Sequence, residues 1–155
     1  MIQRIQSLYL TFVLLLPLLF FRGGVLNFVD GSGKTIDLML TGDLTDQEGL
    51  IIKQVANIWP ITAILILTTS LSLITILLFK NRKIQLFLAI LLIVMSAGLL
   101  IALSWFAFSV TNSCKLTIIP GFKMAIPALI LVFSILAYRR ILKDDRLVKS
   151  YDRLR

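Results

Sequence analysis

Residues 64–100 read ILILTTSLSLITILLFKNRKIQLFLAILLIVMSAGLL, and the only charges in that stretch are Lys80, Arg82 and Lys83. Two uncharged apolar runs back to back across the basic turn Lys80-Asn81-Arg82-Lys83 are the pattern of a membrane hairpin. About 20 helical residues at about 1.5 Å each cross a hydrocarbon core of about 30 Å. Working outward, the first run begins at Gln54 and the second ends at Cys114, and two more uncharged runs cover Ile5 to Phe21 and Met124 to Tyr138. With 58% hydrophobic residues and a mean hydropathy of +0.95, the chain has too little polar sequence to clothe a core facing water. The expected fold is an all-α membrane protein, a four-transmembrane-helix bundle forming one domain over residues 1–155. Its spans fall at about 5–22, 57–79, 84–109 and 122–141, with an outer loop at 23–56 and a tail at 142–155.

Lys and Arg resist translocation, so their distribution over short loops sets the orientation. With both termini inside, the inner side holds eleven of the 16 basic residues, and Arg22, Lys34, Lys53, Lys115 and Lys123 remain outside. The expected topology is therefore multi-pass, with both termini cytoplasmic. The formal charge of +8 is read as orientation and lipid contact, with no nucleic acid as partner. The first run ends in Phe20-Phe21-Arg22 without a small-x-small site, so it is read as a span instead of a cleaved signal. Trp59, Trp105, Phe106 and Phe108 are placed as an interfacial aromatic belt would place them.

The outer loop alternates at Leu26 and Phe28 and again at Ile36, Leu38 and Leu40, around Asp30-Gly31-Ser32-Gly33-Lys34. That is strand periodicity about a turn, so a β-hairpin is expected from about Val25 to Leu40. Thr45 and Glu48 fit a capping box, predicting a short helix that leads into span two with Pro60 as its interruption. Span three is overlong and is expected to tilt or to emerge on the outer side near Val110 to Cys114. Past Tyr138 neither Gly nor Pro intervenes, so span four is expected to continue as a cytoplasmic C-terminal amphipathic helix. Its basic residues Arg139, Arg140, Lys143, Arg146, Lys149, Arg153 and Arg155 suit anionic lipid or a partner protein.

Chemistry is sparse. The chain has no His and a single cysteine, Cys114, which removes imidazole ligation, an intrachain disulfide and a CxxC pair. Gly33-Lys34-Thr35 lacks the earlier Gly of a phosphate-binding loop, because Phe28 stands there, and it reads as a hairpin turn. Asp43, Asp46 and Glu48 lack the spacing of a helix-loop-helix calcium site and read as capping and loop carboxylates. No cofactor and no metal are expected. Thr68, Ser72 and Thr75 form a hydroxyl stripe on span two, favoured as hydrogen-bonding to helix backbones over lining a polar path. Gly98 and Ala102 on span three have the small-xxx-small spacing that permits close helix approach, within the monomer or in a homo-oligomer.

The opening Met1-Ile2-Gln3-Arg4-Ile5-Gln6-Ser7 and the closing Lys143-Asp144-Asp145-Arg146-Leu147-Val148-Lys149-Ser150-Tyr151-Asp152-Arg153-Leu154-Arg155 resemble an uncharacterised four-span inner-membrane protein family of Bacteroidota, over the whole chain. The resemblance implies a bacterial membrane location and carries no catalytic residues. The layout also looks like claudin-type tetraspans, without their Trp and paired-Cys loop signature. The expected function is a non-enzymatic accessory or scaffold subunit of an inner-membrane complex, acting through its outer loop and basic tail. The bilayer and a membrane-protein partner are its expected contacts. The alternative is a small transporter or lipid-handling protein.

Overall fold

The computed structural model describes residues 3–21, 23–31, 33–46, 51–54, 58–78, 81–114 and 116–152. Helix α1 (Gln3–Leu18) tightens into a 3-10 turn (Leu19–Phe21) and leads to strands β1 (Leu26–Val29), β2 (Thr35–Leu38), β3 (Asp43–Asp46) and β4 (Ile51–Gln54). Helices α2 (Trp59–Leu77) and α3 (Arg82–Cys114) follow, then strand β5 (Thr117–Ile119) and helix α4 (Phe122–Asp152). Helix α1 packs on α2 and α4, and α3 packs on the same two, so the four helices close a ring.

Three helices, α2, α3 and α4, are long and apolar enough to cross a membrane, and α1 contributes a shorter apolar helix over Ser7–Phe21. The distribution of side chains agrees with lipid as the solvent. Leu8, Phe12, Leu15, Ile66, Leu73, Phe87, Val94 and Ile101 face outward, whereas Thr68, Ser72, Thr75, Ser96 and Ser134 are buried. In water that arrangement would expose apolar surface on every helix; in hydrocarbon it leaves the hydroxyls to find partners inside. Pro17 removes one helical N–H donor near the end of α1, and the chain there passes into the 3-10 turn.

The loop differs from the expected hairpin. Strands β1 and β2 pair as anticipated, with Leu26 opposite Leu38 and Phe28 opposite Ile36, all four buried. They are the inner part of a five-stranded antiparallel sheet of order β4-β3-β2-β1-β5. The capping-box helix at Thr45 is replaced by β3, whose Leu44 enters the core and whose Thr45 hydroxyl donates to the Asp37 carbonyl at 3.2 Å. Pairing supplies partners for the outer edge of β2, which a helix there would have left bare. Glu48 lies outside the described residues. Gly42, at φ 91°, makes the β2–β3 turn, and its N–H donates to the Met39 carbonyl at 3.0 Å. Pro60 stands in the first turn of α2, where its missing N–H had no helical partner to lose, so it starts the helix instead of interrupting it.

Strand β5, between α3 and α4, pairs with β1 at Asn27↔Ile119 and Val29↔Thr117. Phe28, Leu38 and Leu44 on the sheet share one continuous core with Phe20, Val110, Leu116 and Ile126. The sheet is thus rooted in one end of the bundle. Helix α3 runs from Arg82 to Cys114, and its 33 residues span roughly 50 Å, well beyond the hydrocarbon core.

Candidate functional site

Two adjoining cavities open where the sheet meets α3 and α4. The apolar one, about 210 Å³, lies between Leu103 and Ala107 of α3, Pro127 and Ala128 of α4, and Phe20. The second, about 430 Å³ and less apolar than the first, is walled by Gly23, Gly24, Asn27, Asp37, Ile119, Gly121 and Phe122. Val25, Leu26, Lys123 and Met124 line both, so the two cavities adjoin around those four side chains.

Lys123 stands at the junction. It is half-buried in the first turn of α4, and its Nζ donates to the Gly24 carbonyl at 2.6 Å. Gly24 is required by the opposite wall: a Cβ there would stand 2.9 Å from the Asp37 Cβ, closer than side chains tolerate. Asp37 alternates with Ile36 and Leu38 on β2, so those two enter the core while Asp37 lies half-buried on the other face. An ammonium and a carboxylate therefore line this cavity, with the first turn of α4, the positive end of its dipole, beside them; the Met124 N–H of that turn donates to the Gly121 carbonyl at 3.0 Å. The mouth is apolar, with Phe122 73% exposed and Met124 48% exposed.

The sequence singled out none of this constellation; Lys123 counted there only as an outer-side charge flanking span four. The residues it did single out lie elsewhere. Thr68 and Thr75 are fully buried, and their hydroxyls donate to Ile64 and Leu71 one turn back on α2 at 2.7 Å each. Ser72 donates across to the Leu10 carbonyl of α1 at 2.9 Å. The stripe is occupied by backbone carbonyls, and neither cavity touches it.

Gly98 does not mediate a close approach within the chain, because a Cβ built on it meets nothing within 4 Å; Ala102 packs half-buried against the core. Arg139, Arg140, Lys143 and Arg146 are exposed at the end of the bundle away from the sheet, on the same helix whose Ala137, Ile141 and Asp145 are buried. Helix α4 thus continues beyond Tyr138, as expected, and stays packed on the bundle as far as Asp145. The Lys149 side chain, Arg153 and Arg155 lie outside the described residues.

A further polar residue missed by the sequence is Gln85, 2% exposed near the start of α3. Its Nε2 donates to the Thr75 carbonyl at 3.3 Å, and its Oε1 has no partner among the described residues. The signal was present as an amide followed by ten apolar residues, Leu86 to Met95. Cys114 is a half-buried free thiol, and among the described residues no group of three or more His, Cys, Asp or Glu is arranged to hold a metal ion.

The chain belongs to the DUF4293 family, a domain of unknown function whose model matches residues 2–154. Among curated proteins and among solved structures, nothing matches it.

Proposed function

We propose that this DUF4293 member is a non-enzymatic accessory or scaffold subunit of a bacterial inner-membrane complex, and that it recognises its partner through the sheet. The observation that carries this reading is the rooting of the five-stranded sheet in the bundle core through Phe28, Leu38 and Leu44. A sheet held that rigidly presents its outward face and its terminal strand β4 in fixed geometry, and an open strand edge is a ready template for another chain. Ile51 on β4 is 65% exposed, which adds an apolar contact at that edge.

In this reading the chain is a four-span protein of Bacteroidota, α1 being the fourth crossing, with the sheet outside and both termini in the cytoplasm. The support for the orientation is the basic excess at the α2–α3 turn and along α4 beyond Tyr138. Exposed Arg139, Arg140, Lys143 and Arg146 then meet the anionic inner leaflet or the partner's inner surface. The absence of Asp, Glu, Lys, Arg and His from the four apolar runs supports a non-enzymatic role.

Gentle extraction from the native membrane, crosslinking and mass spectrometry test the proposal. A stoichiometric membrane partner crosslinked to residues 43–54 is expected, and repeated recovery of the bare chain removes it. Topology is read separately, by labelling Lys83→Cys and Thr117→Cys in a Cys114→Ser background. Lys83→Cys should react only after the membrane is permeabilised, and the opposite pattern inverts the orientation.

The second reading, a lipid-handling protein, is favoured by the adjoining cavities around Lys123. Transport along the hydroxyl stripe is disfavoured by the carbonyl partners of Thr68, Ser72 and Thr75.

A further inference from the structure

We infer that the two adjoining cavities at the sheet end form a site for one phospholipid with a zwitterionic, primary-ammonium headgroup. The phosphate sits against Lys123 and the first turn of α4, the ammonium against Asp37, and an acyl chain between α3 and α4. The inference goes beyond the accessory role and is independent of it, since retained lipid is measured on the isolated chain.

The shape of the space selects an amphiphile. A soluble anion would fill the less apolar cavity and leave the apolar one between Leu103, Ala107 and Pro127 empty. A bare acyl chain would do the reverse and leave the charged wall of Lys123 and Asp37 uncontacted. Because Val25, Leu26, Lys123 and Met124 wall both cavities, a molecule that is polar at one end and apolar at the other occupies them together.

Its depth agrees with a bilayer source. Trp105, 76% exposed on α3 between cavity-lining Leu103 and Ala107, is of the residue type enriched at the headgroup level of a membrane, and exposed Phe122 and Met124 at the mouth add apolar surface beside it.

Charge then narrows the headgroup. Lys123 is an ammonium anchored to the cavity wall by Gly24, and the helix dipole behind it adds to the attraction for phosphate. Asp37 stands on the other wall and repels a second negative group. A headgroup carrying phosphate and –NH3+ satisfies both, with the ammonium donating to the Asp37 carboxylate. A choline headgroup has no N–H to donate, and a glycerol headgroup carries no cation to offset Asp37.

The test uses the full chain in nanodiscs of equal parts phosphatidylethanolamine, phosphatidylcholine and phosphatidylglycerol, released into detergent and examined by native mass spectrometry. One phosphatidylethanolamine per chain is expected, enriched at least fivefold over either competitor. Lys123→Gln should lower lipid occupancy about tenfold. Asp37→Asn should keep occupancy within twofold but abolish the preference over phosphatidylcholine, a change that misfolding would not produce. Ala128→Phe, from an exposed position on the crevice wall, should expel the chain while circular dichroism stays unchanged. Glycerophosphoethanolamine or inorganic phosphate displacing the lipid at micromolar concentration would overturn the proposal in favour of a soluble anion site. Equal retention of the three lipids by the unaltered chain would overturn it as well.

Discussion

The Ser72 hydroxyl of α2 donates to the Leu10 carbonyl of α1 at 2.9 Å, and among the described hydroxyls on α2 it is the one whose hydrogen bond reaches another helix of the bundle. Interhelical hydrogen bonds in lipid are worth about 0.6 kcal/mol on average, because the separated helices also find partners. Ser72→Ala is therefore expected to lower stability by about 0.6 kcal/mol and to loosen α1 specifically. Thr68→Val, which removes a hydroxyl bonded within α2, should cost less. Reversible unfolding in mixed micelles, with hydrogen exchange read on α1, gives both values. A larger loss for Thr68→Val would show that its hydroxyl does more than serve its own helix.

The outer face of α1 is apolar, yet α1 is the shortest of the four helices, and its hold on α4 runs through aromatic rings. Phe133 stacks with Phe12 at a centroid distance of 5.0 Å and with Tyr9 at 6.3 Å. Such pairs contribute about 0.5–1.5 kcal/mol beyond simple burial. Phe133→Leu keeps most of the volume and loses the stacking, so a destabilisation of about 1–2 kcal/mol is expected. Protease cleavage in the segment joining α1 to β1 should accelerate, and an unchanged cleavage rate would show that α1 is held by other contacts.

How much of this was legible in the sequence depended on the range of the deciding interaction. The β1–β2 hairpin has its alternation and its turn residues within fourteen positions of one another, so local pattern sufficed. Thr45 and Glu48 carry an authentic helix-start signal, but the open edge of β2 and the room for Leu44 in the core outweigh it, and neither is visible locally. Strand β5, three residues between a helix end and Pro120, is too short to show a period. The cavity was hidden for the same reason: the contact between Lys123 and Gly24 joins residues 99 positions apart. Composition was enough for the membrane class, since uncharged runs of this length have one physical use.

Gly42 and Gly98 predict opposite signs for the same substitution. Gly42 sits at φ 91°, where an L side chain crowds the backbone, so Gly42→Ala should destabilise the sheet by about 1–3 kcal/mol. Gly98 lies in mid-helix with open space around its missing Cβ, so Gly98→Ala should stabilise α3 by up to about 1 kcal/mol. The second result also bears on oligomerisation. If Gly98 lies against a second copy, the alanine weakens that dimer, and analytical ultracentrifugation in detergent would register a shift toward monomer.

Gln85 separates hydrogen bonding from packing at the opposite end of the bundle. The Thr75 carbonyl that it meets at 3.3 Å lies in the last turn of α2, where helical N–H donors have run out, so the amide closes a helix end from across the tight turn. Its Oε1, buried without a partner among the described residues, acts against that gain. Gln85→Leu removes the favourable bond and the unsatisfied oxygen together, and a net change of less than about 1 kcal/mol is expected. Gln85→Ala removes the same polar atoms and leaves a void as well, so its cost should exceed that of leucine by about 1–2 kcal/mol. Thermal unfolding of the two variants in one detergent decides the matter. Equal losses would mean that the hydrogen bond, and not the filled volume, is what Gln85 contributes where α2 turns into α3.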